Sequence, residues 1–223
     1  METARRVFVV GHNKTGTQSI HKFFLDNGHA GVHWDKRRLA EAMASNHDRG
    51  RPLLEGYERY TVFSDMESVA WGSYGAFSEE FVPPPGRLIH AYRWFALLDA
   101  QYPGSLFVYN VRPVEDWIES RLAHAQGRYA EAYRAILAWR SGEERFSLED
   151  LKAHWRGECH EHERLLHEHF AGSPRFLEVD IMSPDAGERL AAFCERHGLA
   201  IRSRTLPHVG VRVPAPAPEQ AGP

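Results

Sequence analysis

The first thirty residues constrain the fold of this chain more than any other part of it. Residues 7–10 are four apolar residues, VFVV, and they predict a short buried strand. A polar stretch follows at 11–19, and Ile20, Phe23 and Phe24 then fall at helical spacing before a natural helix stop at Gly28. The chain therefore opens with a strand, a tight loop and an amphipathic helix.

The same alternation continues along the chain. Further strands are predicted at 30–34, 60–64, 105–111 and 176–179, and helices at 35–46, 88–101, from Pro113 onward, 129–140, 147–170 and 184–197. Alternating strands and helices favour a parallel sheet with helices on both faces. Residues 65–86, with several glycines and three consecutive prolines, are expected to form a long irregular segment.

Length and charge narrow the classes of function. The chain has 223 residues, of which 43% are apolar and 26% charged, and this suits one folded α/β domain. We assign that domain to residues 1–212 and a flexible Pro- and Ala-rich tail to 213–223. The net charge of −3 argues against a general attraction to nucleic acid or anionic membranes. An anionic ligand therefore needs a local site.

The sequence gives no signal for export or membrane insertion. The apolar run at 7–10 is too short for a signal-peptide core, and no later run approaches the roughly eighteen apolar residues of a membrane span. The two cysteines, Cys159 and Cys194, are expected to be reduced thiols. We therefore expect a cytoplasmic protein.

The loop at 11–19, with the sequence GHNKTGTQS, is the motif that predicts chemistry. A loop that leads into a helix presents unbonded backbone amides and the positive end of the helix dipole, and this favours a phosphate group. The glycine spacing, from Gly11 to Gly16, is that of the nucleoside-triphosphate P-loop. However, Thr17 stands where that motif has lysine, and Lys14 lies inside the loop instead.

Residues 14–19, KTGTQS, resemble the 5′-phosphosulfate-binding loop of sulfotransferases. After the strand predicted at 105–111, Arg112 and Ser120 resemble the 3′-phosphate site of that family, where an arginine fork and a helical hydroxyl meet one phosphate. The resemblance covers most of the chain in order. It implies a three-layer, P-loop-type α/β fold with a central parallel sheet flanked by helices.

The resemblance also implies the ligand. The donor would be 3′-phosphoadenylyl sulfate (PAPS), with adenosine 3′,5′-bisphosphate as the product. A segment after the last helix, containing His208 and Arg212, is expected to close over the nucleotide. The nucleotide-binding residues implied in this way are Asn13, Lys14, Thr15, Gly16, Thr17, Gln18, Ser19, Arg112, Ser120 and Arg212.

The reaction implied is in-line transfer of a sulfuryl group to a hydroxyl or amine, without a metal. Lys14 is assigned to the bridging oxygen, on which negative charge builds as the nucleotide leaves. Asp65, at the end of a predicted strand, is assigned as the general base, and a strand-capping role for it is equally compatible with the sequence. Glu67, His33 and His124 are the other candidates for the base.

The sequence does not identify the acceptor, so a small metabolite, a glycan and a lipid all stay open. Aromatic residues of the segment 65–86 are expected to form the acceptor wall or, equally, part of a core; they are Trp71, Tyr74, Phe77 and Phe81. Two rival functions also stay open. One is a small-molecule kinase with Asp65 or Asp180 as its magnesium ligand, and the other is a non-catalytic nucleotide-binding module.

The segment 160–169 contains four histidines among glutamates. It resembles the zinc motif H-E-x-x-H only at a glance, because its fifth position is Arg164. We predict a solvated, charged helix face, with Leu165, Leu166 and Phe170 on the apolar face. Adventitious metal binding there stays open. Trp117 is expected to pack in the core.

Overall fold

The computed structural model of the chain describes residues 5–73 and 81–209. The strands within these ranges are β1 (Val7–Val9), β2 (Gly31–His33), β3 (Val62–Ser64), β4 (Glu67–Ser73), β5 (Phe81–His90), β6 (Leu106–Val111) and β7 (Phe176–Asp180). Five of them form one sheet in the order β2-β3-β1-β6-β7, in which every neighbouring pair is parallel. The strand β1 is therefore central: β3 lies between it and the edge strand β2 on one side, and β6 and then β7 follow on the other.

The helices in the same ranges are α1 (Thr17–Asp26), α2 (Arg38–Asp48), α3 (Phe95–Gln101), α4 (Val114–Leu122), α5 (Arg128–Ser141), α6 (Leu148–His169) and α7 (Ala186–Arg196). Short 3-10 turns directly precede α2, α3 and α5. None of the described helices is long and apolar enough to cross a membrane.

The central sheet is buried on both faces. Val7 and Val9 of β1 point to the face covered by α1 and α7, whereas Phe8 points to the face covered by α2, α3 and α6. The ring of Phe8 lies 5.4 Å from that of Phe63 on β3 and 5.3 Å from that of Phe107 on β6. The predicted fold class, a central parallel sheet flanked by helices, is confirmed.

The prediction of an irregular segment at 65–86 is wrong where the structure describes it. Glu67–Ser73 and Phe81–His90 form an antiparallel ladder, with Val69 opposite Leu88. Because β5 continues to His90, the helix predicted at 88–101 begins only at Phe95, after a 3-10 turn. Cross-strand pairing in this ladder overrides the helical spacing of the apolar residues.

A third apolar cluster lies beside the sheet and joins α4, α5 and α6 to the β4–β5 ladder. Its largest members, Trp117, Tyr133 and Trp155, are fully buried. Trp117 is therefore a core residue, as predicted. The cluster fixes α4, the helix that follows β6, in place.

The histidine-rich part of α6 is only partly a solvated face. His160, His167 and His169 are exposed, but His162 is fully buried, and its Nε2 lies 2.7 Å from the carbonyl oxygen of Val10. The prediction is therefore wrong for His162. This residue lies on the same helical stripe as the buried residues Leu151, Trp155 and Leu166.

Candidate active site

A cavity of about 960 Å³ lies at the carboxyl ends of β1, β2 and β3. Ligands of open parallel sheets bind at this edge, next to the strand where the order of strands reverses. Its wall includes nine of the sequence-predicted site residues, namely Asn13, Lys14, Gly16, Thr17, Gln18, Ser19, Asp65, Arg112 and Ser120. The alternative candidates for the base, His33, Glu67 and His124, also line it.

The loop between β1 and α1 has its carbonyl oxygens bound from one side. Trp117 Nε1 donates to the carbonyl of Asn13 at 2.9 Å, and Asn110 Nδ2 donates to that of Thr15 at 3.0 Å. Between them, a guanidinium N–H of Arg112 makes a long contact of 3.5 Å with the carbonyl of Lys14. Three consecutive carbonyls are thus turned toward the unit formed by β6 and α4.

The backbone amides at 15–18 are available to bind a ligand. Within the described ranges, the amides of Thr15, Gly16, Thr17 and Gln18 donate no hydrogen bond. At its start, α1 has no capping side chain and no acidic residue in its first turn. Neither the cap nor the first turn of α1 therefore offsets the positive end of its dipole, and four adjacent donors at such a helix start suit an anion.

Two glycines make this loop conformation possible. A Cβ at Gly11 would lie 2.2 Å from Asn110 Oδ1, the atom that accepts from the amide of Gly11 itself. Gly16 has a φ of 91°, and a Cβ there would lie 2.1 Å from Ile181 Cδ1. The glycine spacing therefore reflects close approach of the loop to β6 and to the segment after β7.

Asp65 has an unusual protonation equilibrium. Burial raises the pKa of its carboxyl group to about 6, against the opposing attraction of Lys14 and Arg121. His33 Nε2 lies 3.5 Å from Asp65 Oδ2, and its Nδ1 lies 2.9 Å from Ser64 Oγ. Burial lowers the pKa of His33 to about 4, so the ring is neutral near pH 7. A partly buried carboxylate beside a neutral imidazole can accept a proton in this pH range.

His124 lies near the same charges. Burial and then the positive charge of Lys14 lower the pKa of His124 to about 4. Because Lys14 acts on both Asp65 and His124, its ammonium group lies within electrostatic range of both. Lys14, a residue of the loop, therefore acts electrostatically on two of the candidate bases.

Glu67 is bound within the protein. Arg121 NH2 donates to its two carboxylate oxygens at 3.1 and 3.2 Å, and the hydroxyl of Tyr129 donates to one of them. Glu67 is 3% exposed and Arg121 is fully buried. Both oxygens of Glu67 are thus occupied by partners inside the protein, which leaves Asp65 as the better candidate for the base.

Backbone strain is concentrated around the cavity. Non-glycine residues with positive φ in the described ranges fall in four places, each with a member that lines the cavity: Lys14, Trp34, Asp65 and Ala125. Each left-handed residue costs about 1–2 kcal/mol. Such strain gathers at functional sites, where the surrounding structure enforces it.

One strained place is a complete left-handed turn. Trp34, Asp35, Lys36 and Arg37 have φ values of 57°, 46°, 52° and 77°. The helix predicted at 35–46 therefore starts later, at Arg38. A second left-handed stretch, from Ala125 to Gly127, separates α4 from α5.

Some predicted site residues lie elsewhere. The hydroxyl of Thr15 does not line the cavity, because it donates to the carbonyl of His12 at 2.6 Å and accepts from Asn110 Nδ2 at 2.6 Å. Trp71 packs against the third apolar cluster, the core alternative for this aromatic. Arg212, Tyr74, Phe77, the side chain of Phe81 and the predicted tail lie outside the described residues.

The segment after α7 does return to the loop. The amide of Val209 donates to Ser19 Oγ at 3.1 Å, and Val209 lines the cavity. His208 precedes it but is not part of the cavity wall. The expected closing segment therefore reaches the loop through a backbone contact at Val209.

Sequence reasoning missed several residues of the site, and two of them bear on its geometry. Trp34 lines the cavity beside His33, and Arg121 binds Asn13 and Glu67 from behind the wall. An arginine among apolar residues of a helix, four positions after Trp117, was the available signal for Arg121. No local pattern pointed to Trp34, because its position depends on the left-handed turn.

One group of described side chains could hold a metal ion. Ligand atoms of Glu163, His167 and Glu178 all lie within 4.8 Å of one another, and His167 Nε2 lies 2.5 Å from Glu178 Oε2. His167 is exposed, and none of the three residues lines the cavity described above. This group is therefore separate from the candidate active site.

The sequence of the chain matches no protein-family model and no curated protein at a significant level.

Proposed function

We propose that the protein is a sulfotransferase that moves a sulfuryl group from PAPS to a hydroxyl or amine acceptor. The observation that carries the proposal is the loop at 11–19, whose carbonyls are bound from behind while four amides remain available beside Lys14. Arg112 and Ser120 add a cation and a hydroxyl to the same cavity wall. This set suits a nucleotide with anionic groups at two positions.

The loop and α4 have separate tasks in this proposal. The amides at 15–18 and the hydroxyls of Thr17 and Ser19 bind the 5′-phosphosulfate, and Arg112 with Ser120 binds the 3′-phosphate. A terminal sulfuryl group carries less charge than a terminal phosphate, so the reaction does not require a metal. We place the reaction in the cytoplasm, since Cys159 and Cys194 are free thiols of the kind that a reducing compartment keeps.

The transfer step follows from the charges near Lys14. The acceptor oxygen or nitrogen forms a bond to sulfur while the bond from sulfur to the bridging phosphate oxygen breaks. The electron pair of that bond stays on the nucleotide, where the Lys14 ammonium stabilises it. The acceptor proton moves to Asp65, whose pKa of about 6 leaves it mostly ionised near pH 7.

Nucleotide binding tests the proposal against its two rivals. Adenosine 3′,5′-bisphosphate without metal is expected to raise the melting temperature, because a ligand at a hundred times its Kd stabilises the folded state by about 2.7 kcal/mol. Stronger stabilisation by ATP with magnesium would favour a kinase. Transfer from labelled PAPS to a panel of hydroxyl and amine acceptors then separates an enzyme from a binding module.

A further inference from the structure

The helix α4 holds the nucleotide loop from behind through two side chains. Trp117 Nε1 donates to the carbonyl oxygen of Asn13 at 2.9 Å, and Arg121 Nε donates to Asn13 Oδ1 at 2.8 Å. Both oxygens of Asn13 are thus bound by one face of a single helix. The next residue is Lys14, whose φ of 65° is in the left-handed region.

Arg121 is itself held without access to solvent. It is fully buried, donates to Glu67 and Tyr129, and lies between the rings of Trp117 and Trp155, with its guanidinium carbon 4.7 and 4.8 Å from their centres. Replacing a buried ion pair with apolar residues is often neutral or stabilising. The burial of Arg121 is therefore better explained by the position that it gives to Asn13 than by a gain in the free energy of unfolding.

We propose that Trp117 and Arg121 are positioning residues for the nucleotide loop. By binding both oxygens of Asn13, they keep Lys14 in its strained conformation and direct the amides at 15–18 into the cavity. Neither side chain lines the large cavity, so both act through Asn13. The identity of the ligand rests on the proposed function, whereas the positioning of the loop does not.

The same helix carries Ser120 and directly follows Arg112 and Pro113. The two residues assigned to the 3′-phosphate and the two that position the 5′-phosphosulfate loop therefore belong to one rigid unit. This fixes the separation between the two anion-binding regions. A donor with phosphate groups at both positions would meet a preformed spacing, which lowers the cost of binding.

The chain offers a matched control for Trp117. Trp155 is equally buried, and its ring lies at nearly the same distance from the Arg121 guanidinium. Within the described residues, however, Trp155 Nε1 has no hydrogen-bond partner. The variants Trp117→Phe and Trp155→Phe therefore make the same change in ring packing around Arg121, but only Trp117→Phe removes a bond to the loop.

Hydrogen exchange of the ligand-free protein tests the positioning role directly. The amides at 15–18 have no hydrogen bond within the described residues, so exchange is followed at the bonded amides on either side of them, those of Gly11, Ser19 and Ile20. We expect these amides to exchange about fivefold faster in Trp117→Phe, from the loss of one hydrogen bond that holds the loop, and to stay within about twofold of wild type in Trp155→Phe. Equal acceleration in both variants, or none in either, would overturn the role of Trp117. This readout requires no nucleotide.

The hydrogen bond from Arg121 to Asn13 is tested by removing its acceptor, the side chain of Asn13. This leaves the buried ion pair of Arg121 and Glu67 intact. Asn13→Ala is compared with Asn46→Ala, which removes a buried asparagine that bridges the carbonyls of Leu53 and Glu55 in another loop. Faster exchange of the bonded amides of Gly11, Ser19 and Ile20 in Asn13→Ala alone supports the role of Arg121. Unchanged exchange in Asn13→Ala would overturn it.

Nucleotide affinity then links the geometry to function. We expect Trp117→Phe to weaken binding of adenosine 3′,5′-bisphosphate about fivefold to tenfold and to lower kcat, while Trp155→Phe changes both by less than about twofold at a similar melting temperature. A wild-type protein that does not bind this nucleotide would overturn the proposed function. Equal losses in both variants, with a wild type that binds, would overturn the positioning role alone.

Discussion

Asn110 and Thr15 are joined by two hydrogen bonds. The side-chain nitrogen Nδ2 of Asn110 donates to the carbonyl oxygen of Thr15 at 3.0 Å and to its hydroxyl oxygen at 2.6 Å. The Oδ1 atom of Asn110 also accepts from the amide of Gly11 at 3.2 Å. One side chain of β6 thus binds both the start and the middle of the nucleotide loop. The hydroxyl of Thr15 therefore has a structural role, unlike that of Thr17, which lines the cavity.

Thr15→Val and Thr17→Val are expected to separate stability from binding. Thr15→Val removes two buried hydrogen bonds and should lower the free energy of unfolding by about 1–3 kcal/mol. Thr17→Val should weaken binding of adenosine 3′,5′-bisphosphate with a smaller effect on stability, since Thr17 makes no side-chain hydrogen bond among the described residues. Denaturation and calorimetric titration measure the two quantities, and the reverse pattern would contradict this division.

Lys14→Ala is expected to lower the rate of transfer by roughly 100- to 1,000-fold, because its charge matters most when the bridging oxygen becomes negative. Binding of the nucleotide should fall less, since the amides at 15–18 remain. The fold should persist, because Lys14 lies in a loop and is not a core residue. The matched control is Lys22→Ala, which removes an exposed lysine of α1 paired with Asp26. Near-normal turnover of Lys14→Ala at saturating donor would rule out this role.

Arg112→Ala is expected to weaken binding of adenosine 3′,5′-bisphosphate by about 1.5–3 kcal/mol, the range for a hydrogen bond to a charged group. Adenosine 5′-monophosphate, which lacks the 3′-phosphate, should lose much less affinity. Titration of both nucleotides against wild type and variant gives the comparison. Equal losses for the two ligands would show that Arg112 does not bind the 3′ position.

The pH dependence of transfer is expected to identify the base. If Asp65 accepts the proton, kcat/KM rises with pH through about 6 and then levels off, because the carboxyl group must be ionised. If His33 or His124 is the base, the rise is centred near pH 4. Asp65→Asn should abolish the rise near pH 6 along with most of the activity. A profile centred near 4 in the wild type would eliminate Asp65.

The raised pKa of Asp65 also predicts how the stability of the protein changes with pH. Its pKa is raised by burial from an ordinary value near 3.9 to about 6, so the folded state holds its proton more tightly than the unfolded state. Its stabilising contribution is complete below pH 4 and is lost as the pH rises to 6. Asp65→Asn should therefore melt at a higher temperature than wild type at pH 8, with the difference shrinking toward pH 4. A lower melting temperature at pH 8 would contradict the burial argument.

The left-handed turn before α2 gives a prediction about the stability of the folded state. Lys36 is exposed and has a φ of 52°, so Lys36→Gly should stabilise the protein by about 0.5–1 kcal/mol, the relief of strain less the entropy of glycine. Lys22→Gly in the regular helix α1 should destabilise it by about 1 kcal/mol. Thermal denaturation of the two variants should show shifts of opposite sign.

Local patterns were sufficient to predict the β1–loop–α1 unit and the parallel sheet. The apolar run at 7–10 and the helical spacing from Ile20 are both expressed within about twenty residues, and parallel strands follow from alternation with helices. The β4–β5 ladder was missed because its pairing is non-local and is interrupted by a register shift between Ala70 and Gly72. Glycines and prolines in this segment looked like a loop although much of it forms strands.

The residues of the candidate site could be predicted where they belong to a sequence motif. They could not be predicted where contacts between distant parts of the chain determine the role of a side chain. Six residues of the loop motif and Arg112 line one cavity. Glu67, two residues after Asp65, was an alternative candidate for the base, yet its partner Arg121 lies 54 residues away in sequence and binds both of its carboxylate oxygens. The raised pKa of Asp65 likewise depends on burial, which no spacing of residues expresses.

The helix α4 has a consequence for how this chain can vary. Its anchors to the loop, Trp117 and Arg121, are one turn apart, and Ser120 faces the cavity from the adjacent position. Each residue of a helix turns the next by about 100°. A single deletion between Pro113 and Trp117 would therefore rotate the two anchors and Ser120 away together. Exposed positions that do not line the cavity, such as Glu115, are open to substitution, but the length of this segment is fixed.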